Sequence, residues 1–333
     1  MNNAILTLYF YEKAQFFMNI TVKERKVASA TGNGIIRYKL WIPPDPRVAL
    51  QLTHGMSEYI DRYDDFAMYL AGRGILVYGQ DHAGHGKSTP SSPRGFFAEN
   101  DGWTALVEDM HAIHMAVAEE FPAIPYILFG HSMGSFLART YAARNPGEFE
   151  GYIFMGTAGS NPLLPFGKWV IRRAIKKDGP AAVNVKLNGL ATGTYNKAVK
   201  KAEGSVRTDF DWISCNQDNV DAYVADSLCG FPFTNAGLRD LFDGLAEITR
   251  KDWASHVADK PILLLSGEQD PVGGKKAKGV LETAQALTKT GHTVECKIYP
   301  GARHELLNET NRLEVYGDIE LFISTVEAMG ERA

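Results

Sequence analysis

Tyr126-Ile127-Leu128-Phe129-Gly130-His131-Ser132-Met133-Gly134 is the stretch from which the rest of this 333-residue chain is read. A short apolar run meets a serine with glycines two positions away on either side, and an apolar-periodic segment follows at once. Such a serine fits a sharp strand-to-helix turn, which lifts its hydroxyl clear of its neighbours so that a carbonyl can approach. Glycine is needed on both sides because a side chain there would meet the adjoining strand or helix. The pattern is short enough to recur by chance. Its surroundings decide between a nucleophile and an inert glycine-rich turn.

Those surroundings alternate strand and helix. Strand patterns cover 35–42, 48–53, 75–78, 126–129, 152–155, 261–265 and 294–299, and helical spacing covers 63–71, 103–117, 277–287 and 313–328. A further helix runs from the Ser132 turn to about residue 143. This order predicts an α/β protein with a mostly parallel central sheet covered by helices on both faces. Between 160 and 245 the alternation stops, and helical pieces are separated by Gly, Pro and Asn. We therefore expect a core of 21–159 and 246–333 with a helical cap inserted at 160–245. Residues 1–20 read as an N-terminal extension. Their apolar stretch lacks the basic start and small-residue cleavage site of a secretion signal, and Met18 stands beside Met1 as a candidate start.

Composition narrows the classes. Hydrophobic residues at 45% and charged residues at 22% suit a globular protein, and a net charge of −4 argues against nucleic acid as a partner. Three cysteines make neither a disulfide framework nor a zinc-finger spacing, which favours a reducing, cytoplasmic setting. No apolar run reaches the ~18 to 20 residues of a spanning helix.

A serine hydroxyl needs a base, histidine suits that task near neutral pH, and a carboxylate must fix the histidine's tautomer. Both follow in order. Asp270 comes just after the 261–265 strand, and His304 just after the 294–299 strand. Loops at the carboxyl ends of parallel strands gather on one side of the sheet, so these positions can converge with Ser132. Glu268 competes with Asp270, and chain order favours Asp270. His292 precedes its strand, at the wrong end of the sheet. An oxyanion needs two backbone N–H donors; Met133, opening a helix, supplies one, and Met56 after the 48–53 strand is the candidate for the other.

His54-Gly55-Met56-Ser57-Glu58, residues 81–88, the Gly130–Gly134 elbow, residues 267–270 and residues 299–305 together resemble the monoacylglycerol lipase and lysophospholipase branch of the α/β-hydrolases, also termed serine aminopeptidase-like. The resemblance spans about residues 35 to 330. It implies Ser132, Asp270 and His304 as a catalytic triad and Met56 and Met133 as oxyanion donors. It also implies that Glu58 and Arg62 brace the site, against the alternative of an ordinary surface ion pair. The chain departs from this branch at Met56, where a smaller residue is common, which bears on pocket width.

Other features carry two readings. His82 and His85 sit in a tight turn as hydrogen-bonded residues and not as metal ligands, since nothing completes a coordination set. His111 and His114 are expected on a solvent-facing helix side. Residues 167–201 hold nine Lys or Arg against one acid, Asp178. Phe166, Trp169, Val170, Ala174 and Ile175 share one side of this basic helix, which also carries Arg172, Arg173, Lys176 and Lys177. The favoured reading turns that apolar side onto the pocket, and the alternative lays it on an anionic lipid surface, making the protein peripheral to a membrane. Phe210, Trp212 and Phe231, with Met56, are expected to line an apolar pocket.

The expected activity is acyl-ester hydrolysis through an acyl-enzyme, with a monoacylglycerol or lysophospholipid as small-molecule substrate and no cofactor or metal. The alternatives are a short-chain or aryl carboxylesterase, a serine aminopeptidase or amidase anchored by cap acids (Asp209, Asp211, Asp218), and a non-catalytic ligand-binding member of the fold.

Overall fold

Apolar runs without interruption, such as Ile262-Leu263-Leu264-Leu265, form strands that are covered on both faces. A computed structural model describes residues 19–32, 34–88 and 92–330, apart from the side chains of 190–192 and 202. The Met18 start and nearly all of the extension lie outside the described residues.

The strands are β1 (Thr21–Ala28), β2 (Ile35–Ile42), β3 (Val48–Thr53), β4 (Ile75–Gln80), β5 (Tyr126–His131), β6 (Gly151–Met155), β7 (Ile262–Gly267) and β8 (Val294–Tyr299). They form one sheet in the order β1-β2-β4-β3-β5-β6-β7-β8. The β1–β2 and β2–β4 pairs are antiparallel and the remaining pairs parallel. β1 has no counterpart in the sequence reading. It is an edge strand whose Lys23, Glu24, Arg25 and Lys26 give no apolar run, and it is placed by its hairpin pairing with β2 and by the Arg25–Glu120 ion pair.

One face of the sheet is covered by α1 (Asp64–Ala71) and α10 (Arg312–Gly330), through residues such as Phe66, Leu70, Ile319 and Phe322. The other is covered by α2 (Gly102–Glu120), α3 (Met133–Arg144) and α9 (Lys278–Lys289), through Leu106, Met110, Leu137 and Val280. Each such side chain contributes ~1.5–3 kcal/mol of burial, which fixes the strand ends relative to one another.

His114 lies within this second layer, contrary to the expectation of solvent exposure. Its Nδ1 is 2.9 Å from the Tyr78 hydroxyl, and burial pushes it down to about 4. The cause is its spacing, since it continues the buried stripe of Met110, Ile113 and Val117. His111 is half-exposed, beside Tyr141 and Glu148.

Between β6 and β7 lie α4 (Leu164–Asp178), α5 (Val185–Thr192), α6 (Asn196–Glu203), α7 (Gln217–Ala225) and α8 (Asn235–Ile248). α8 runs through residue 245 and packs on α2 and α3; at Gly244 an added Cβ would lie 2.1 Å from the Trp103 ring. α4 turns Leu164, Ile171 and Ala174 inward. The expected inward side is only partly so, because Phe166 and Trp169 are 63% and 53% exposed. The reason is Gly167, which lets α4 approach α8 so closely that a Cβ there would sit 2.4 Å from the Phe242 ring.

Candidate active site

β5 ends at His131 and α3 begins at Met133, so Ser132 must reverse the chain in a single residue. It does so at φ 53°, ψ −123°, a region that non-glycine residues rarely occupy. Its N–H is pinned to the Met155 carbonyl at 2.9 Å. A Cβ on Gly130 would lie 2.3 Å from the Gly134 carbonyl oxygen, and one on Gly134 would lie 2.0 Å from that of Thr53. The flanking glycines are therefore what allow the elbow to close.

The loop after β8 carries His304, whose Nδ1 donates to Asp270 Oδ2 at 3.0 Å; both side chains are buried. Asp270 Oδ1 accepts the Val272 N–H at 2.8 Å, which orients the carboxylate. Burial pushes the His304 imidazole down, but the Asp270 charge and hydrogen bond outweigh it, so it lies above its ordinary 6.5. Glu268 points elsewhere and accepts the Gly301 N–H at 3.3 Å. His292 is bound to the Val257 and Leu287 carbonyls at 3.1 Å each.

In the turn after β3, the Gly55 N–H donates to Glu58 Oε1 at 2.7 Å and the Ser57 N–H to His85 Nε2 at 3.2 Å. The Met56 N–H between them, and the Met133 N–H opening α3, have no partner among the described residues. These are the two amides expected to face an oxyanion. His54, His82 and His85 pack ring against ring beneath this turn, with His54 and His82 centroids 4.1 Å apart. His82 Nε2 donates to the His54 carbonyl and the His82 N–H to His54 Nε2, both at 3.1 Å. Burial lowers all three from the ordinary histidine value, His82 well below it and His85 to about 3, which favours the neutral rings as spacers. Among the described residues no three such groups cluster as metal ligands.

Glu58 and Arg62 are buried, their side chains 4% and 10% exposed. Glu58 Oε2 accepts from Arg62 at 2.7 Å, while Oε1 also meets the Tyr63 hydroxyl at 2.8 Å and His131 Nδ1 at 3.1 Å. Arg62 then reaches Glu305, beside His304, with two bonds of 2.7 Å. Burial pushes both carboxyls up, but His131 and Arg62 outweigh it for Glu58 and Arg62 does so for Glu305, leaving both below the usual range. The reading of the sequence gave no role to His131, Tyr63 or Glu305. His131 and Glu305 stand next to Ser132 and His304, and adjacency was their only signal.

Ser132, Met133, Met56 and His304 line one cavity of about 1350 Å³, together with Phe210, Trp212 and Phe231 from the insertion. Leu164, Leu241, Phe242 and Leu245 give it an apolar wall, and Asp209, Lys275, Lys278 and Glu282 add charged groups.

Residues 44–311 match the family described as "Serine aminopeptidase, S33". The chain belongs to that family. This S33-family chain is 30% identical to a monoacylglycerol lipase of Mycolicibacterium smegmatis, over 91% of its own length and 97% of the relative's. It is 28% identical to a human monoglyceride lipase, over 86% of each chain. The crystal structure of a thermostable carboxyl esterase from Bacillus coagulans in complex with glycerol superposes with a TM-score of 0.86 at 31% identity, covering 92% of this chain and 99% of that one. The S33-family chain thus has the α/β-hydrolase fold, mostly parallel and helix-covered as expected.

Proposed function

We propose that this protein hydrolyses monoacylglycerols at Ser132 through an acyl-enzyme. The chain is a serine ester hydrolase, as its family and its lipase relatives establish. One observation carries the finer reading: the candidate nucleophile opens into a cavity that joins an apolar wall from α4 and α8 to a polar rim from residues 271–282. That combination suits a substrate with one acyl chain and a small hydroxylated alcohol.

In this reading Ser132 Oγ attacks the ester carbonyl carbon while His304 Nε2 takes its proton. Asp270 steadies the resulting imidazolium, and the Met56 and Met133 amides stabilise the oxyanion. The bond to the alcohol breaks as His304 returns the proton to the leaving oxygen. Water, deprotonated by the same histidine, then releases the fatty acid. Glu58 and Arg62 brace the oxyanion turn, and residues 160–245 act as the cap that selects the ester.

Leu163, Phe166 and Trp169 face solvent beside exposed Arg172, Arg173, Lys176 and Lys177. This supports an enzyme that rests on an anionic lipid surface; among the described residues no helix is long and apolar enough to cross a membrane. Asp209 on the cavity wall supports a second reading, an aminopeptidase in which it binds a free amino group.

The test is a panel of monoacylglycerols, lysophospholipids, nitrophenyl esters and amino-acyl amides, run on wild type and Ser132→Ala. Monoacylglycerols should be turned over fastest, and Ser132→Ala should be inert. Residual turnover in that variant removes the mechanism, and preference for the amides favours the second reading. Co-sedimentation with phosphatidylglycerol vesicles, lost in a Phe166→Ser, Trp169→Ser double variant, tests the lipid contact.

A further inference from the structure

The loop after β8 that carries His304 is tied to the core by the Gln269 N–H on the Ala302 carbonyl at 2.9 Å and by His131 Nε2, 3.3 Å from the His304 carbonyl, and both neighbours of His304 are anchored on the insertion as well. Arg303 is 4% exposed, and its Nη1 donates to the Asp211 carbonyl at 2.8 Å and the Ser214 carbonyl at 3.1 Å. Its other terminal nitrogen pairs with Glu203. On the far side of His304, the Glu305 N–H donates to the Ile213 carbonyl at 2.7 Å. The Glu305 carboxylate accepts from Asn219 Nδ2 at 2.8 Å, and Asn219 Oδ1 in turn accepts from Arg62 at 3.2 Å. Further out, Glu309 accepts both the Cys215 N–H at 3.0 Å and the Arg303 N–H at 2.8 Å. Asn216 Nδ2 reaches the Asn308 carbonyl at 3.0 Å. Finally, the Trp212 ring lies 5.1 Å from the His304 ring.

We propose that segment 211–219 is a positioning element for His304, clamped to its loop by Arg303 and Glu305, and is not part of a lid that lifts. The inference rests on His304 being the general base. A buried guanidinium is costly to desolvate, and Arg303 spends it on two carbonyls of the insertion with its Nε left unpartnered. That expense fits a residue that sets geometry more than one that adds stability. If segment 211–219 lifted, it would break the bonds on both sides of the histidine and carry the imidazole away from Asp270. Any opening of the cavity for substrate must then occur outside this segment, and α6 is itself tied to it, by Glu203 on Arg303 and by Asn196 Oδ1, which accepts the Trp212 N–H at 3.0 Å. The same clamp continues through Arg62 and Glu58 to Gly55, so the base and the oxyanion turn are held to a common support.

The experiment compares Arg303→Met, Arg303→Lys, Asn219→Ala and Asn219→Asp with wild type, measuring kcat and KM separately on a soluble ester. The rate at which a fluorophosphonate labels Ser132 is measured in parallel. Misplacement of a base on the scale of 1 Å costs ~100-fold, so kcat and labelling should fall ~10- to 100-fold in Arg303→Met with KM nearly unchanged. Arg303→Lys, which can still donate to one carbonyl, should recover part of that loss. Asn219 is only half-buried, so its variants should melt as wild type does. Asn219→Asp, which sets a second carboxylate against Glu305, should lose more kcat than Asn219→Ala. A loss confined to KM, an unchanged kcat, or equal behaviour of the two Asn219 variants overturns the proposal. Wild-type enzyme that is not labelled at Ser132, or turnover by Ser132→Ala, instead overturns the catalytic reading beneath it.

Discussion

Gly134→Ala should disable the enzyme while the same substitution at Gly317 should strengthen it. A Cβ on Gly134 would lie 2.0 Å from the Thr53 carbonyl oxygen and 2.5 Å from that of His54. Both atoms are backbone at the end of β3, with no flexible tip to swing aside. Reaching an ordinary contact requires the start of α3 to retreat from β3 by roughly 1.4 Å, at an overpacking cost of ~1–3 kcal/mol. That movement carries Ser132 and the Met133 amide away from the Met56 amide, and a displacement of this size costs ~100-fold in rate, or about 2.7 kcal/mol of barrier. Gly317 lies in α10 with nothing within 4 Å of a new Cβ. There alanine gains helix propensity worth ~0.5–1 kcal/mol and leaves turnover alone. The assay is kcat/KM on a nitrophenyl ester, with thermal melting of each variant. If Gly134→Ala keeps kcat/KM within about threefold of wild type, the elbow geometry does not govern the chemistry as argued.

His304 must be neutral to accept a proton, and Asp270 holds it above 6.5, so kcat/KM should rise with pH through a midpoint above that value. A pH–rate profile with its acid limb below 6.5 contradicts the pairing. Asp270→Asn should cut kcat ~10³- to 10⁴-fold while Glu268→Gln stays near wild type, a contrast read directly from steady-state rates. Glu58→Gln removes a charge that accepts from Arg62 and should cost ~1.5–3 kcal/mol at pH 7. Because the Glu58 carboxyl lies below its ordinary 4.5, its stabilisation is full above that pH and is lost as pH falls. Denaturant titrations should therefore show the gap between wild type and Glu58→Gln narrowing below about pH 4.5.

The parts of the site that obey a local rule were legible in the sequence. Ser132 needs glycines at fixed offsets, and Asp270 and His304 need only follow apolar strands, so spacing and order were enough to nominate them as candidates. Glu305 and Asn219 obey no local rule, because their meaning lies in a contact across 86 residues. The same holds for Arg303, which grips carbonyls about 90 residues away and so leaves no mark in residue type. β1 escaped notice because an exposed edge strand needs no apolar run. His114 could have been found, since its place in the stripe of Met110, Ile113 and Val117 already put it inside. α4 was ambiguous in principle. It has apolar residues on two sides, and only the close approach at Gly167 determines which side faces α8.

The outward turn of α4 also gives the protein an optical property. Of its five tryptophans, Trp41, Trp103 and Trp253 are buried and Trp212 is half-buried against His304, while Trp169 stands in solvent with the Arg173 guanidinium 4.9 Å from its ring. The emission of Trp169 is therefore the red-shifted component of the native spectrum and the component open to aqueous quenchers. Contact of α4 with lipid would shift that component to the blue and shield it, while the three buried indoles stay unchanged. The chain thus carries a label-free reporter at the position where contact with a lipid surface is expected.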